Sequence, residues 1–196
     1  MPGARMINNA LQFLLHTVLG LFTLALLLRF YLQLTRAPFH NPVSQAMVAV
    51  TNFAVRPVRR FIPGIGGLDT STLLLAFIAQ FLLQVGSLWI RDFPLLVADN
   101  TIWIALLGLA FVGLLKLSIY IFLYAVLLQA ILSWINPHTI ITPVLDALTR
   151  PLLRPLRNRI PTAGGFDLSP LVVFIAAQLI LIVLITPMEQ QLLRLF

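Results

Sequence analysis

Apolar positions along this chain come in blocks rather than in alternation, and four blocks dominate: Ala10 to Leu34, Leu73 to Ile90, Ile102 to Ile135, and Leu171 to Ile185. A bilayer crossing takes about 20 apolar residues wound as a helix, so the pattern predicts an all-α membrane protein with about four spans. The first block is too long for a secretory signal and lacks a small-residue cleavage site, so it reads as a retained helix. The third block is the anomaly. Its 34 residues would extend about 51 Å as a helix, against a hydrocarbon core of about 30 Å. Lys116 divides it, and the expectation is that Lys116 lies at an interface, its stem along lipid and its ammonium in water. Ile102 to Leu115 is then an interfacial helix, a re-entrant segment or part of one long tilted helix. The fourth block is short and is expected to begin at Pro170 and run on towards Met188.

The polar connectors carry the internal order of the chain. Arg56 to Pro63 reads Arg-Pro-Val-Arg-Arg-Phe-Ile-Pro, and Arg154 to Pro161 reads Arg-Pro-Leu-Arg-Asn-Arg-Ile-Pro, an offset of 98 residues. The same offset joins Gly66-Gly67-Leu68-Asp69 to Gly164-Gly165-Phe166-Asp167, Ser71 to Ser169, Ala79-Gln80 to Ala177-Gln178, and Thr51 to Thr149. Upstream, Asn41-Pro42 matches Asn136-Pro137 after a three-residue gap. The chain is a duplication of a large unit, divided into repeats over 1–98 and 99–196, and not a solenoid. Two spans per unit make the repeats parallel, each a transmembrane helix, a basic amphipathic interfacial segment and a second transmembrane helix.

Charge adds a direction to that picture. Of the 13 basic residues, eight lie in the two connectors: Arg36, Arg56, Arg59, Arg60, Arg150, Arg154, Arg157 and Arg159. The positive-inside rule places both connectors in the cytoplasm and both termini outside. The net charge of +7 follows from that topology, and nucleic acid is not expected as a partner. With no cysteine in the chain, disulfides, thiolate metal sites and cysteine nucleophiles are excluded. The histidines His16, His40 and His138 show no ligand spacing, and no catalytic triad, phosphate loop or intramembrane carboxylate pair is present. The expectation is a protein that is not an enzyme and holds no cofactor or metal.

Several residues are singled out. In the second connector Val144, Leu145, Leu148, Leu152 and Leu156 share one helical face and Arg150, Arg154 and Arg157 another; the first connector repeats the pattern less cleanly. Pro57, Pro151 and Pro155 are expected to kink or end these helices. Arg56, Arg59, Arg60, Arg150, Arg154, Arg157 and Arg159 are candidates for binding lipid or a partner, set against a plain role as topology determinants and snorkelling anchors. Asp69 and Asp167 are candidates for a cation path, set against capping helices and pairing with Arg59 and Arg157. Ser71 and Ser169 are expected as the helix caps themselves. Gln80 and Gln178, equivalent positions within spans, are read first as interhelical glue, and Gln84 and Gln129 extend the polar set. Arg29 is expected to snorkel, and Gly108 and Gly113 do not have the four-residue spacing of close helix contact.

The repeated words Arg-Pro-x-Arg and Gly-Gly-x-Asp-x-Ser, together with Asn41-Pro42, Ser133-Trp134 and Pro151-Leu152-Leu153-Arg154-Pro155, closely resemble the YggT family and its YlmG relatives in Gram-positive bacteria, cyanobacteria and plastids. The resemblance covers nearly the whole chain, with the first copy the more diverged. It implies a multi-pass protein of the bacterial cell inner membrane with two family repeats. It also implies a link to osmotic regulation or ion homeostasis, or, as the alternative, a scaffold or assembly factor for division or cofactor assembly that uses the arginine-rich face. Partners implied are membrane lipids, with homo-oligomers or membrane-protein partners left open. No catalytic residue carries over.

Overall fold

The computed structural model describes residues 2–38, 40–64, 67–95, 99–160 and 167–195; Gly66, Pro161, Gly164, Gly165 and Phe166 of the repeated motif lie outside the described residues. Helices α1 (Pro2–Leu34), α2 (Pro42–Phe61) and α3 (Thr70–Ile90) form the first unit. Helices α4 (Thr101–Ile135), α5 (Thr142–Arg157), α6 (Ser169–Ile180) and α7 (Thr186–Leu193), the last two joined by a π-helical turn over Leu181–Ile185, form the second. No strand occurs among the described residues. Among the described residues, four helical runs are long and apolar enough to cross a membrane: Arg5–Leu34, Thr70–Ile90, Thr101–Ile135 and Ser169–Leu193.

Local chemistry explains where these helices start and stop. The Asn41 side chain accepts from the Val43 N–H at 2.9 Å and Pro42 opens α2, an N-cap followed by a residue whose missing donor costs nothing there. Asn136 makes the same turn, accepting from the His138 N–H at 3.2 Å, before a short insertion delays α5. At the ends of α1 and α3, Arg36 and Asp92 take positive φ of 53° and 57°. There the N–H groups of Ala37 and Phe93 reach back to the Leu32 and Leu88 carbonyls, the 6→1 bond of a Schellman closure. The π turn has a local cause. Pro187 has no N–H to offer the carbonyl four residues back, and the Thr186 N–H bonds instead to Leu181, five residues away.

One expectation is corrected at this level, the N-cap of α3, and two sets of alternatives are narrowed. The third apolar block is a single 35-residue helix, so Ile102 to Leu115 is part of one long helix and Lys116 neither breaks nor ends it. Helices α2 and α5 continue past Pro57, Pro151 and Pro155. All three prolines are exposed, where carbonyls left without a partner remain accessible. The N-cap of α3 is Asp69 and not Ser71, with Asp69 Oδ1 accepting from the Thr72 N–H at 3.3 Å. In the second unit Ser169 is the first helical residue, and its N–H donates to Asp167 Oδ1 at 2.9 Å.

The units enter in the same sense. Tyr31 of α1 stacks edge-on against Phe122 of α4, and Leu26 and Leu27 share a core with Leu114 and Ile121, so α1 and α4 run parallel. Gln12 bonds to Ser87, and Leu15 packs on Gly86, so α3 returns antiparallel to α1. Leu181 and Ile185 meet Val112, and Leu192 meets Gly108, so α6 and α7 return antiparallel to α4. Both arginine-bearing helices therefore sit at one end of the bundle. A hydrogen bond from Asn41 Nδ2 to the Ile140 carbonyl links the two connectors directly.

Packing is not symmetric between the repeats. Helix α3 lies between α1 and α4, whereas among the described residues α6 packs, outside its own run, on α4 and α5 alone. The outer face of α6 and the π turn, including Leu171, Ile175, Leu179 and Val183, is exposed, as expected where lipid is the solvent.

Candidate functional site at the seam between the repeats

Gln80 is the eleventh of the 21 residues of α3 and so marks the middle of that span. Its amide lies against the α4 backbone at Gly113; a Cβ there would come within 2.2 Å of Gln80 Nε2. Gly113 is thus kept open for a polar side chain, and Gly108 similarly receives Leu192. The two glycines each admit a side chain from a different helix, which is why their spacing matched no helix-pair motif.

One turn further along α4, Lys116 Nζ donates to Glu189 Oε2 of α7 at 2.6 Å, both side chains about a third exposed. Lys116 therefore stands level with the centre of α3 and is paired, a correction to its expected interfacial place. A charge in an apolar span is stabilised by such a partner. Around the pair lies a cavity of about 560 Å³ between α1, α3, α4 and α7, lined by His16, Thr17, Gln80, Gln84, Gly113, Lys116, Tyr120 and Glu189 among others. A second cavity of about 440 Å³, lined by Asn8, Asn9, Gln12, Phe13, His16, Ile90 and Arg91, lies nearer the end opposite the arginines. His16 borders both. Its Nε2 is 3.2 Å from Ser87 Oγ, and Gln12 Nε2 donates to the Ser87 carbonyl at 2.7 Å. Polar groups thus step from the end of α1 and α3 opposite the arginines to mid-bundle.

The other candidates lie elsewhere. Gln178 is half-buried on α6 and does not line the seam. The position on α1 that corresponds to Gly113 is Val18, which is exposed at 63%, so no helix meets Gln178 as α4 meets Gln80. Asp69 and Asp167 are at the arginine-rich end. Arg59 forms an ion pair with Asp69, and Arg157 Nε bonds to Asp167 Oδ2 at 2.7 Å. Asp69 also accepts from the Thr72 hydroxyl at 2.6 Å. Partial burial opposes ionisation of Asp167, but hydrogen bonds from Ser169 and the Arg157 guanidinium outweigh it and hold the carboxyl below its ordinary value. Both aspartates are engaged as structural partners of the turn into the second span.

Arg29 is a further correction. It is 6% exposed and does not snorkel: its Nη1 donates to Thr51 Oγ1 at 2.8 Å and to Asn52 Oδ1 at 3.1 Å, locking α2 onto α1. The second unit uses the equivalent threonine with a neutral partner, since Thr149 donates to Gln129, and Gln129 donates to Asp146. Asp146 is engaged by that amide, and no ion pair joins it to Arg150 among the described residues. Arg56, Arg60, Arg150, Arg154 and Arg159 are exposed, with no acidic partner among the described residues.

Sequence reasoning missed Glu189 and passed over His16 as an isolated histidine. A usable signal existed. Glu189 is the one acidic residue in the fourth apolar run and Lys116 the one basic residue within the third, and charges buried in lipid seek each other.

The fold and its paired connectors define a class: a helical multi-span protein made of duplicated membrane hairpins, each hairpin tied to a basic surface helix. The chain belongs to the CCB3/YggT family, whose sequence profile matches residues 8–90 and 108–188. It is 40% identical over 166 residues to the uncharacterised protein YggT of Escherichia coli K12, covering 84% of this chain and 83% of that one. An uncharacterised Pseudomonas aeruginosa protein is 35% identical over 178 residues, 89% of this chain and 87% of its own. An uncharacterised Vibrio alginolyticus protein is 36% identical over 174 residues, 87% and 90% of the two chains. No solved structure matches the chain.

Proposed function

We propose that this protein is a non-enzymatic component of the bacterial inner membrane that supports osmotic or ion balance, by admitting water or small ions along the seam between its repeats. One observation carries the reading: two cavities share His16 in their linings, and the one at mid-bundle holds the Lys116–Glu189 pair and Gln80, near the middle of α3. Polar and ionisable groups at such depth are costly in lipid and mark pathways more often than packing. The arginine-rich end faces the cytoplasm by the positive-inside rule, so the seam cavities face outward. The test is flux of potassium, sodium, protons and water in liposomes holding purified protein. Flux that rises with protein content and changes with Gln80→Leu supports the reading; sealed liposomes under every gradient and voltage overturn it.

A second reading has its own support. The exposed arginines Arg56, Arg60, Arg150, Arg154 and Arg159, none in an ion pair among the described residues, suit a scaffold that gathers acidic partners at the cytoplasmic surface. Co-purification after mild solubilisation tests it, and an unchanged partner set when these arginines become glutamine removes it.

A further inference from the structure

The repeats differ most where α4, α5 and α6 meet. Leu32 of α1 is 1% exposed, whereas Leu127, at the corresponding place in α4, is 43% exposed. Asp69 has 1% of its side chain accessible in its pair with Arg59, while Asp167 has 34% in its pair with Arg157. The first repeat is closed at this level and the second holds a cleft of about 960 Å³. Its wall is apolar, formed by Val126, Leu127, Leu171 and Phe174, and its polar lining includes Gln129 and Arg157. Arg157 gives only Nε to Asp167, and a guanidinium has five N–H donors, so its terminal nitrogens retain the capacity to bind an anion.

We propose that this cleft binds one anionic phospholipid, with the phosphate against Arg157 and an acyl chain along Leu127 and Phe174. Charge complementarity selects the occupant. Within the lining the carboxylate of Asp167 already accepts from Arg157 Nε, and the exposed Arg154 and Arg159, three and two residues from Arg157 along the chain, add positive charge around the site. An acyl chain fits the apolar wall and a free inorganic anion would leave that wall uncovered. The inference is independent of the seam reading and does not require that the protein conduct anything.

Native mass spectrometry of the purified full-length protein, offered phosphatidylglycerol and phosphatidylcholine with the same chains, tests it. The wild type is expected to retain phosphatidylglycerol about fivefold better, the ratio equivalent to about 1 kcal/mol for one basic group near an anionic headgroup. Arg157→Gln should erase the preference. Leu127→Trp, which keeps every charge and fills the cleft, should lower retention of both lipids. Arg59→Gln, which breaks the equivalent pair where there is no cleft, should leave retention unchanged. Equal retention of the two lipids overturns the proposal, as does an Arg59→Gln effect equal to that of Arg157→Gln. Since the chain has no cysteine of its own, a disulfide-linked dimer of Leu171→Cys would identify a second copy as the occupant and overturn it too.

Discussion

Lys116 of α4 and Glu189 of α7 form an ion pair at 2.6 Å, 73 residues apart in sequence and beside the midpoint glutamine of α3. It is the one ion pair between two spans among the described residues; the other two tie a surface helix to the turn that follows it.

Removing one partner is predicted to destabilise the protein more than removing both. Each side chain is roughly one-third exposed, so Lys116→Met or Glu189→Gln alone should cost about 1–3 kcal/mol, between the values for exposed and buried pairs. The double variant Lys116→Met with Glu189→Leu should recover most of that loss. Thermal unfolding in detergent reads both; a double variant as unstable as the sum of the singles would contradict the pairing.

Gly113→Ala should push the Gln80 amide out of its contact. The clash runs along one flexible side chain, with Gln80 Nε2 at 2.2 Å, Cδ at 2.9 Å and Cγ at 3.1 Å, so Gln80 must change rotamer and the stability cost is expected at about 1 kcal/mol, typical of single substitutions. The effect should be seen at the seam as altered liposome flux, and Gln80→Ala in the same chain should relieve the strain. Unchanged flux in Gly113→Ala, in a preparation where wild type conducts, would separate this contact from the path.

The two threonines that face the first span of each repeat should not be equally sensitive. Thr51→Val removes an acceptor from the buried charge of Arg29 and should cost about 1–3 kcal/mol. Thr149→Val leaves Gln129 its bond to Asp146 and should cost less. Equal shifts in thermal midpoint for both variants would refute the asymmetry.

Asp167 supplies a pH dependence with a definite sign. Its carboxyl is held below the ordinary value, so its contribution is fully present above the unfolded value of about 3.9 and is lost as pH falls through the lower folded value. Asp167→Asn should flatten the acid limb of stability below about pH 4 relative to wild type. An identical acid limb in the two proteins would show that the Arg157 contact adds nothing measurable.

The helix pattern and the repeat were readable from the chain because each depends on local order. Apolar runs of spanning length, the offset of 98 residues and the ten-residue separation of Arg59 from Asp69 and of Arg157 from Asp167 are properties of neighbouring residues. Gln80 was legible as a polar residue in a span, but its partner was not. Arg29 was misread for a related reason: distance from a helix end suggests snorkelling, yet Thr51 and Asn52 approach it from a helix whose docking no local pattern records.

By itself, then, the sequence determined the spans, their duplication, the shared direction of the hairpins and the turn chemistry that closes each one. Only the tertiary structure decided that α3 fits between α1 and α4 while α6 has no second neighbouring span, that Lys116 meets Glu189, and that the second repeat opens a cleft the first lacks. The physical reason is the reach of each interaction. Hydrogen bonds and hydrophobic periodicity act within a few residues along a helix, whereas pairing a charge or filling a gap between helices depends on which faces meet after all four spans have packed.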